Sequence, residues 1–270
     1  MTEKEQSNQQ VISCAKFQDF VEKLPTADLI TLPINHIASV SLLDTFIGKQ
    51  TITTDYLVEK CEVFGEHLLY LFYGKPAFRL SDKSAYPICL VFKSIPSEPC
   101  KGFPFDSGAY FHGRMSKYFD SLETKLEDFT ITPNYEIIKK IIKYFFGTNG
   151  RYYDGLPLTN TVNPTIPAVD GYISMINDDD SEYLDQRKSS IELIFDKQFK
   201  LNENNLEMII IPEVDFIISG AIIDFNQLRE SLTKDFGCIV KSYGIKTVDP
   251  ESSSYPQITK IVKNYIINFM

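Results

Sequence analysis

Leu68-Leu69-Tyr70-Leu71-Phe72-Tyr73 is a nearly continuous apolar run. At this length it reads as a strand covered on both faces, the pattern of a central strand in a sheet flanked by other elements. A second such run, Ile88-Cys89-Leu90-Val91-Phe92, follows the turn-like Ser81-Asp82-Lys83-Ser84, so the two strands can neighbour each other. Outward from this pair, Ser190 to Phe195 and Met208 to Ile211 read as two further strands, with Leu201 to Leu206 turning between them. Leu29 to Ile34 reads as a short strand ending at Asn35-His36, and Thr51-Ile52-Thr53 is extended by β-propensity.

Helical periods separate these runs. Val11, Cys14, Phe17, Val21 and Leu24 recur every three or four residues, predicting an amphipathic helix before the sheet. Ser39 or Ser41 caps a helix carrying Leu42, Leu43, Phe46 and Ile47, with Gly48 as its stop. Asn134 caps a helix with Ile137, Ile138, Ile141, Ile142 and Phe145 on one side, ended by Gly147; Lys139, Lys140 and Lys143 make a basic face on its other side. Asp224 caps a helix through Phe225, Leu228 and Leu232, and Tyr255-Pro256 precedes a last one through Ile258, Ile261, Val262, Tyr265 and Ile266. Ser94 to Asn134 reads as a structured loop, and Gly147 to Gly171 as a long surface loop. The expected fold is α+β, a mixed central β-sheet flanked by helices. Residues 1–30 form a helical prefix and 31–270 a single domain with C-terminal helices.

Composition narrows the function classes. The 270 residues carry 27 Lys plus Arg against 36 Asp plus Glu, a formal charge of −9, which excludes a generally basic nucleic-acid binder. Much of that excess sits in one stretch, Asp178-Asp179-Asp180, Glu182 and Asp185, so a small-area contact with nucleic acid stays open. With 20 Phe and 15 Tyr the chain has ample material for a core. A polar N-terminal stretch, and no run of 18 apolar residues, predict a cytoplasmic protein with no membrane partner. Five spread cysteines without a Cys-x-x-Cys knuckle read mostly as buried thiols, and His36, His67 and His112 form no local metal pair. The phosphate loop, dinucleotide fingerprint, zinc-protease and nucleophile-elbow motifs are all missing.

What remains is polar residues on apolar strands. His36 ends the first strand, Tyr70 and Tyr73 sit in the second, and Gly74-Lys75-Pro76-Ala77-Phe78-Arg79 turns out of it, with Arg79 available to an anion. Glu192 stands among Ile191, Leu193, Ile194 and Phe195, where a carboxylate costs free energy unless paired or used. Asp106-Ser107-Gly108 reads as turn chemistry ahead of a nucleophile.

Asn35-His36-Ile37-Ala38-Ser39-Val40-Ser41-Leu42-Leu43-Asp44-Thr45-Phe46-Ile47-Gly48-Lys49-Gln50-Thr51-Ile52 resembles the opening of ADP-ribosyltransferase-like domains: a strand-end His, a capped helix, then a short strand. Arg187-Lys188-Ser189-Ser190-Ile191-Glu192-Leu193-Ile194-Phe195, followed by Leu201 to Pro212, resembles the catalytic-glutamate strand and the next core strand of that family. The likeness spans roughly His36 to Asp215. It is nearest to toxins that ADP-ribosylate nucleic acid and more remote from RNA 2′-phosphotransferases.

The resemblance implies an ADP-ribosyltransferase-like fold and a mono-ADP-ribosyltransferase using NAD as substrate, in the setting of a toxin or phage-defence effector with an antitoxin or regulatory partner. It implies that His36, with Ser39 nearby, binds the NAD ribose, that Tyr70 or Tyr73 stacks on nicotinamide, and that Glu192 holds the ribose and promotes transfer. Arg79, Asp106 and Ser107 join the candidate NAD site on local chemistry alone, with Phe105 between them. Family members that modify arginine carry a second Glu two residues before the catalytic one; here that position is Ser190, so a nucleic-acid acceptor or another protein side chain is expected. No metal is implied. The rival readings are structural: His36 bonding a backbone carbonyl, the tyrosines as core, Glu192 on an edge strand, Arg79 in a surface ion pair. They would make the chain a non-catalytic binding or regulatory α/β protein; with water as acceptor it would be an NAD glycohydrolase.

Overall fold

A computed structural model describes residues 16–54, 60–77, 79, 80, 84–158, 166–178, 186–245 and 250–267. Seven strands form one sheet: β1 (Ile34–Ser39), β3 (Leu69–Tyr73), β4 (Pro87–Phe92), β5 (Lys101–Phe103), β6 (Glu192–Phe195), β8 (Leu206–Pro212) and β11 (Ile239–Tyr243). Their order is β11-β8-β4-β1-β3-β6-β5, so β1 lies between β3 and β4 and these two are not the neighbours that the sequence suggests. Every pairing is antiparallel except β8 with β11, so the sheet is mixed and helices surround it, as expected for the fold class.

The strands with continuous apolar sequence lie inside the sheet, because both their faces are covered. All six residues of β4 are buried, and so is most of β3. β1 lies later than its apolar sequence suggests, at Ile34–Ser39 and not Leu29–Ile34. It is read from the sequence as ending at Asn35-His36 because those two are polar, yet both are buried inside it.

One row of side chains crosses the whole sheet. Phe103, Glu192, Phe72, Asn35, Val91, Met208 and Ile239 are successive partners from β5 to β11. Paired residues share a face and neighbours along a strand alternate, so all seven point the same way.

Two small sheets complete the strands: β2 (Thr51–Ile52) with β7 (Phe199–Lys200), and the hairpin β9 (Phe216–Ile218) with β10 (Ala221–Ile223). The loop from Ser94 to Asn134 contains two short helices, α3 (Ser107–Phe111) and α4 (Ser116–Phe119). The expected surface loop Gly147–Gly171 is corrected more strongly. It holds α6 (Asn149–Asp154), capped by Thr148 and stopped by Gly155, and the start of α7 (Pro167–Asn177), with Pro at its first position. Its Gly, Pro and Thr residues punctuate two helices.

α1 (Phe17–Glu22) is the described part of the expected N-terminal helix; residues 11–15 lie outside the description. α2 (Leu43–Lys49) runs past Gly48 and is closed by Gln50 at φ 46°. α5 (Tyr135–Phe145) is capped by Asn134 as expected. α8 (Phe225–Phe236) starts at its Asp224 cap, and α9 (Pro250–Ile266) begins earlier than Tyr255, with Pro256 inside it. An aromatic cluster holds several of these together. Phe17 stacks on Phe145 at 5.8 Å, Tyr172 meets Phe145 edge-on at 4.9 Å, and Phe105 meets Phe129 at 5.0 Å. Such pairs contribute about 0.5–1.5 kcal/mol each beyond their burial.

Among the described residues no helix is long and apolar enough to cross a membrane. The acidic residues 179–185 and the turn residues 81–83 lie outside the description. The basic face on α5 is smaller than expected: Lys140 is buried, donating to the Glu22 carbonyl at 3.1 Å and pairing with Glu136 at 3.2 Å.

Candidate functional site

Glu192 opens β6 between β3 and β5 and is only 1% exposed. It is therefore not the solvent-facing carboxylate of an edge strand. Its Oε2 accepts a hydrogen bond from the Ser107 backbone N–H at 3.2 Å. Ser107 is held there because Asp106 caps α3, its Oδ1 accepting from the Ala109 N–H at 3.1 Å, while the Asp106 N–H donates to the Arg187 carbonyl at 3.1 Å. Burial pushes the Glu192 carboxyl well above the usual range, the Asp106 charge adds to that, and the Ser107 hydrogen bonding works against it.

Tyr70 belongs to the same arrangement. Its partner on β6 is Ile194, two residues from Glu192, so Tyr70 and Glu192 share a face one diagonal apart. The Tyr70 hydroxyl donates to the Cys61 thiol sulfur. Burial first, then Cys61, then the charges of Glu192 and Asp106, hold this phenol far above its ordinary value. Glu192, Asp106, Ser107 and Tyr70 are thus one constellation: two carboxyls, a fixed N–H donor and an aromatic ring.

The remaining candidates go elsewhere. Tyr73 is on the opposite face from Tyr70 by strand alternation, and its hydroxyl accepts the Leu32 N–H at 2.8 Å; it is a core aromatic. The Arg79 guanidinium lies 3.7 Å from the ring centroid of Tyr255 on α9, so its visible role is to seat that helix. Ser39 caps a short 3-10 turn at Val40–Leu42, accepting from the Ser41 N–H at 3.3 Å.

Asn35 and Glu192 are in one row, two strand spacings or about 10 Å apart, so the β1 backbone is within reach of a single ribose. Yet His36 is in the next row and faces the other way. Its Nδ1 bonds the Tyr70 carbonyl at 2.9 Å, and burial lowers its pKa to about 4 with that bond as partial offset. The neutral ring therefore donates from Nδ1.

That bond has a cause in the sheet. β1 and β3 are in register only at Ile34 with Tyr73 and Asn35 with Phe72, whereas β1 and β4 pair along six residues. Side chains bridge the gap. Besides His36, Asn35 Nδ2 donates to the Gly74 carbonyl at 2.8 Å and, at the long distance of 3.4 Å, to that of Phe72. Asn35 Oδ1 is buried and has no hydrogen-bond partner among the described residues.

Three residues at or beside the site escape sequence reading. Asn35 and Cys61 carry the bonds just described. Lys75, fully buried, donates to the Ser189 hydroxyl at 2.8 Å and to the Tyr152 carbonyl at 3.2 Å, tying the end of β3 to the approach of β6. Asn35 and Lys75 had a signal, a polar residue in or at the end of an apolar strand; Cys61 had none. Of the four described cysteines Cys89 and Cys238 are buried, Cys61 is partly so and Cys100 is exposed, a correction to the mostly buried expectation. Among the described residues no three His, Cys, Asp or Glu side chains are grouped to hold a metal ion.

The chain matches no family model, no curated protein and no solved structure.

Proposed function

We propose that the chain is a mono-ADP-ribosyltransferase with an ADP-ribosyltransferase-like fold, which breaks the nicotinamide–ribose bond of NAD at Glu192 and passes ADP-ribose to a macromolecular acceptor, nucleic acid ahead of arginine. The observation that carries this is the Glu192 carboxyl, buried, held by the Ser107 N–H and sharing a face with Tyr70.

Cleavage of that bond passes through an oxocarbenium-like cation, and a fixed carboxylate stabilises such a charge. Burial disfavours the ionised form of Glu192 in the free protein. The positive charge of the nicotinamide ring, and then of the ribose cation, offsets that cost, so the carboxylate is favoured when substrate is present. Asp106, beside it, is the group that takes the acceptor's proton. Tyr70 offers the ring for nicotinamide. His36 serves by holding β1 against β3, and neither Tyr73 nor Arg79 is needed.

Isotope-labelled NAD incubated with total RNA, DNA and protein, read by mass spectrometry, tests this. Label should appear in one acceptor class with release of nicotinamide, and Glu192→Ala should abolish it while the fold persists. Turnover that survives in Glu192→Ala sinks the assignment. Label in water alone makes the protein an NAD glycohydrolase. A non-catalytic role is the second reading, favoured by the slight exposure of Glu192 and the structural bond of His36; it predicts no nicotinamide release with any acceptor.

A further inference from the structure

The burial of Glu192 raises the question of access, and one short segment answers it. Residues 61–66 form a tight turn in which the Gly65 N–H donates to the Cys61 carbonyl at 2.7 Å and the Cys61 N–H to the Glu66 carbonyl at 2.8 Å. Gly65 takes φ 69°, a conformation that suits glycine. The turn meets the sheet at two side chains. Cys61 accepts from the Tyr70 hydroxyl, and the Phe64 ring stacks on Phe103 with centroids 6.0 Å apart and planes 21° apart. The Lys101 ammonium lies 4.4 Å from the centroid of Phe64.

The register says what lies beneath. Phe103 is the β5 partner of Glu192, Lys101 the β5 partner of Ile194, and Tyr70 the β3 partner of Ile194. Phe103 and Tyr70 therefore bracket Ile194 and Glu192 on one face, and the turn spans from one bracket to the other. The opposite side of the carboxyl is closed by Asp106 and Ser107. On its outer side the turn is thin: Glu62, Gly65 and Glu66 are exposed. It is held by a thiol hydrogen bond and ring contacts, not by a backbone ladder to the sheet.

We propose that the Cys61–Glu66 turn is a lid over Glu192, and that loading the site requires Cys61 to leave Tyr70 and Phe64 to leave Phe103. This rests on the reading of Glu192 as the reacting carboxylate, and deepens it by naming what controls access. A site competent only in its open form binds more weakly by the open fraction, so loosening the turn should tighten apparent substrate binding.

The cysteines supply the test. Cys100 is exposed and Cys89 and Cys238 are buried, so one maleimide time course, read peptide by peptide, contains an exposed reference and two reports on unfolding. In parallel, a water-soluble carbodiimide with glycine amide reports the accessibility of Glu192. In Phe64→Ala the Cys61 labelling rate should rise several-fold toward that of Cys100, with Glu192 modification rising with it and Cys89 still protected. The KM for NAD should fall.

Cys61 labelling that is unchanged by the substitution, or Cys61 freed while Glu192 stays unreactive, overturns the lid. Exposure of Cys89 would mark a misfolded variant; Phe64→Leu, which keeps bulk but not the stack, then decides by the same readout. Neither labelling experiment uses NAD. Coupled exposure of Cys61 and Glu192 with no nicotinamide release from the wild-type chain would leave the lid standing and refute the transferase reading.

Discussion

Tyr70 and Glu192 stand on one face of adjacent antiparallel strands, a single diagonal apart, and the charge of Glu192 is among the causes that keep the Tyr70 phenol protonated. A carboxyl and an aromatic ring at this spacing can hold the two ends of one glycosidic bond. Their strands are otherwise apolar, so this arrangement is maintained at a cost, and the cost is measurable.

Glu192→Gln removes a buried carboxyl whose pKa burial raises. A group with a raised folded pKa stabilises below its unfolded value and loses that stability as pH climbs. The variant should therefore match the wild type near pH 4 and be more stable at pH 7 by more than about 1 kcal/mol, the cost of keeping on the buried carboxyl a proton that the unfolded chain has released. Urea midpoints at the two pH values check this, and a less stable variant at pH 7 would show that the carboxylate contributes to the fold.

For His36 the sign is opposite. Its pKa is depressed to about 4 from 6.5, so the unfolded chain takes up a proton first, and the stability His36 contributes is complete above about pH 6.5 and lost as pH falls toward 4. The shift corresponds to about 3 kcal/mol. His36→Gln keeps a donor for the Tyr70 carbonyl without titrating. Its stability difference from the wild type should change by about that amount between pH 7 and pH 4, as denaturant titration would read.

Asn35→Ala leaves the Gly74 carbonyl without its 2.8 Å donor at a buried position. A loss of about 2 kcal/mol is expected. Hydrogen exchange should quicken in β3 more than in β4, whose pairing with β1 is a full backbone ladder. Equal acceleration in the two strands would deny Asn35 this bridging role.

Gly171 lies within α7, where alanine is the better helix former by about 1 kcal/mol. A Cβ there would sit 2.6 and 2.7 Å from two ring carbons of Phe119, itself packed at 4.7 Å from Phe129. Overpacking of this kind costs about 1–3 kcal/mol, so packing outweighs propensity and Gly171→Ala should lower the thermal midpoint. A rise would mean that Phe119 yields easily.

The sheet was legible where a strand is covered on both faces, because burial alone then writes an unbroken apolar run, as at β3, β4 and β8. The sequence misplaced β1, whose Asn35 and His36 look like a strand end. They are interior because carbonyls on a strand some 35 residues away accept from them, a partner no local window contains. The stretch after Gly147 was misread for the converse reason, that Thr148, Gly155 and Pro167 cap and start helices with the same residue types that make loops. At the site, Glu192 declared itself as a charge in an apolar strand, whereas Asp106 and Ser107 read only as a turn and are in fact the cap and first residue of α3. Whether Tyr70 or Tyr73 joins them depends on strand parity, and Arg79 on a helix nearly two hundred residues away.

The two-pair contact between β1 and β3 makes the sheet a pair of plates, four strands and three, laced along a seam by an amide and an imidazole. Such a seam gives along its length when its laces loosen, while either plate keeps its own ladder. Acid loads that seam by placing a charge on the buried His36 ring, whose bond to the Tyr70 carbonyl survives protonation but whose burial opposes the charge, so the expected first event on lowering pH is a parting of the three-strand plate, the one that carries Glu192 and Tyr70, from the rest of the sheet.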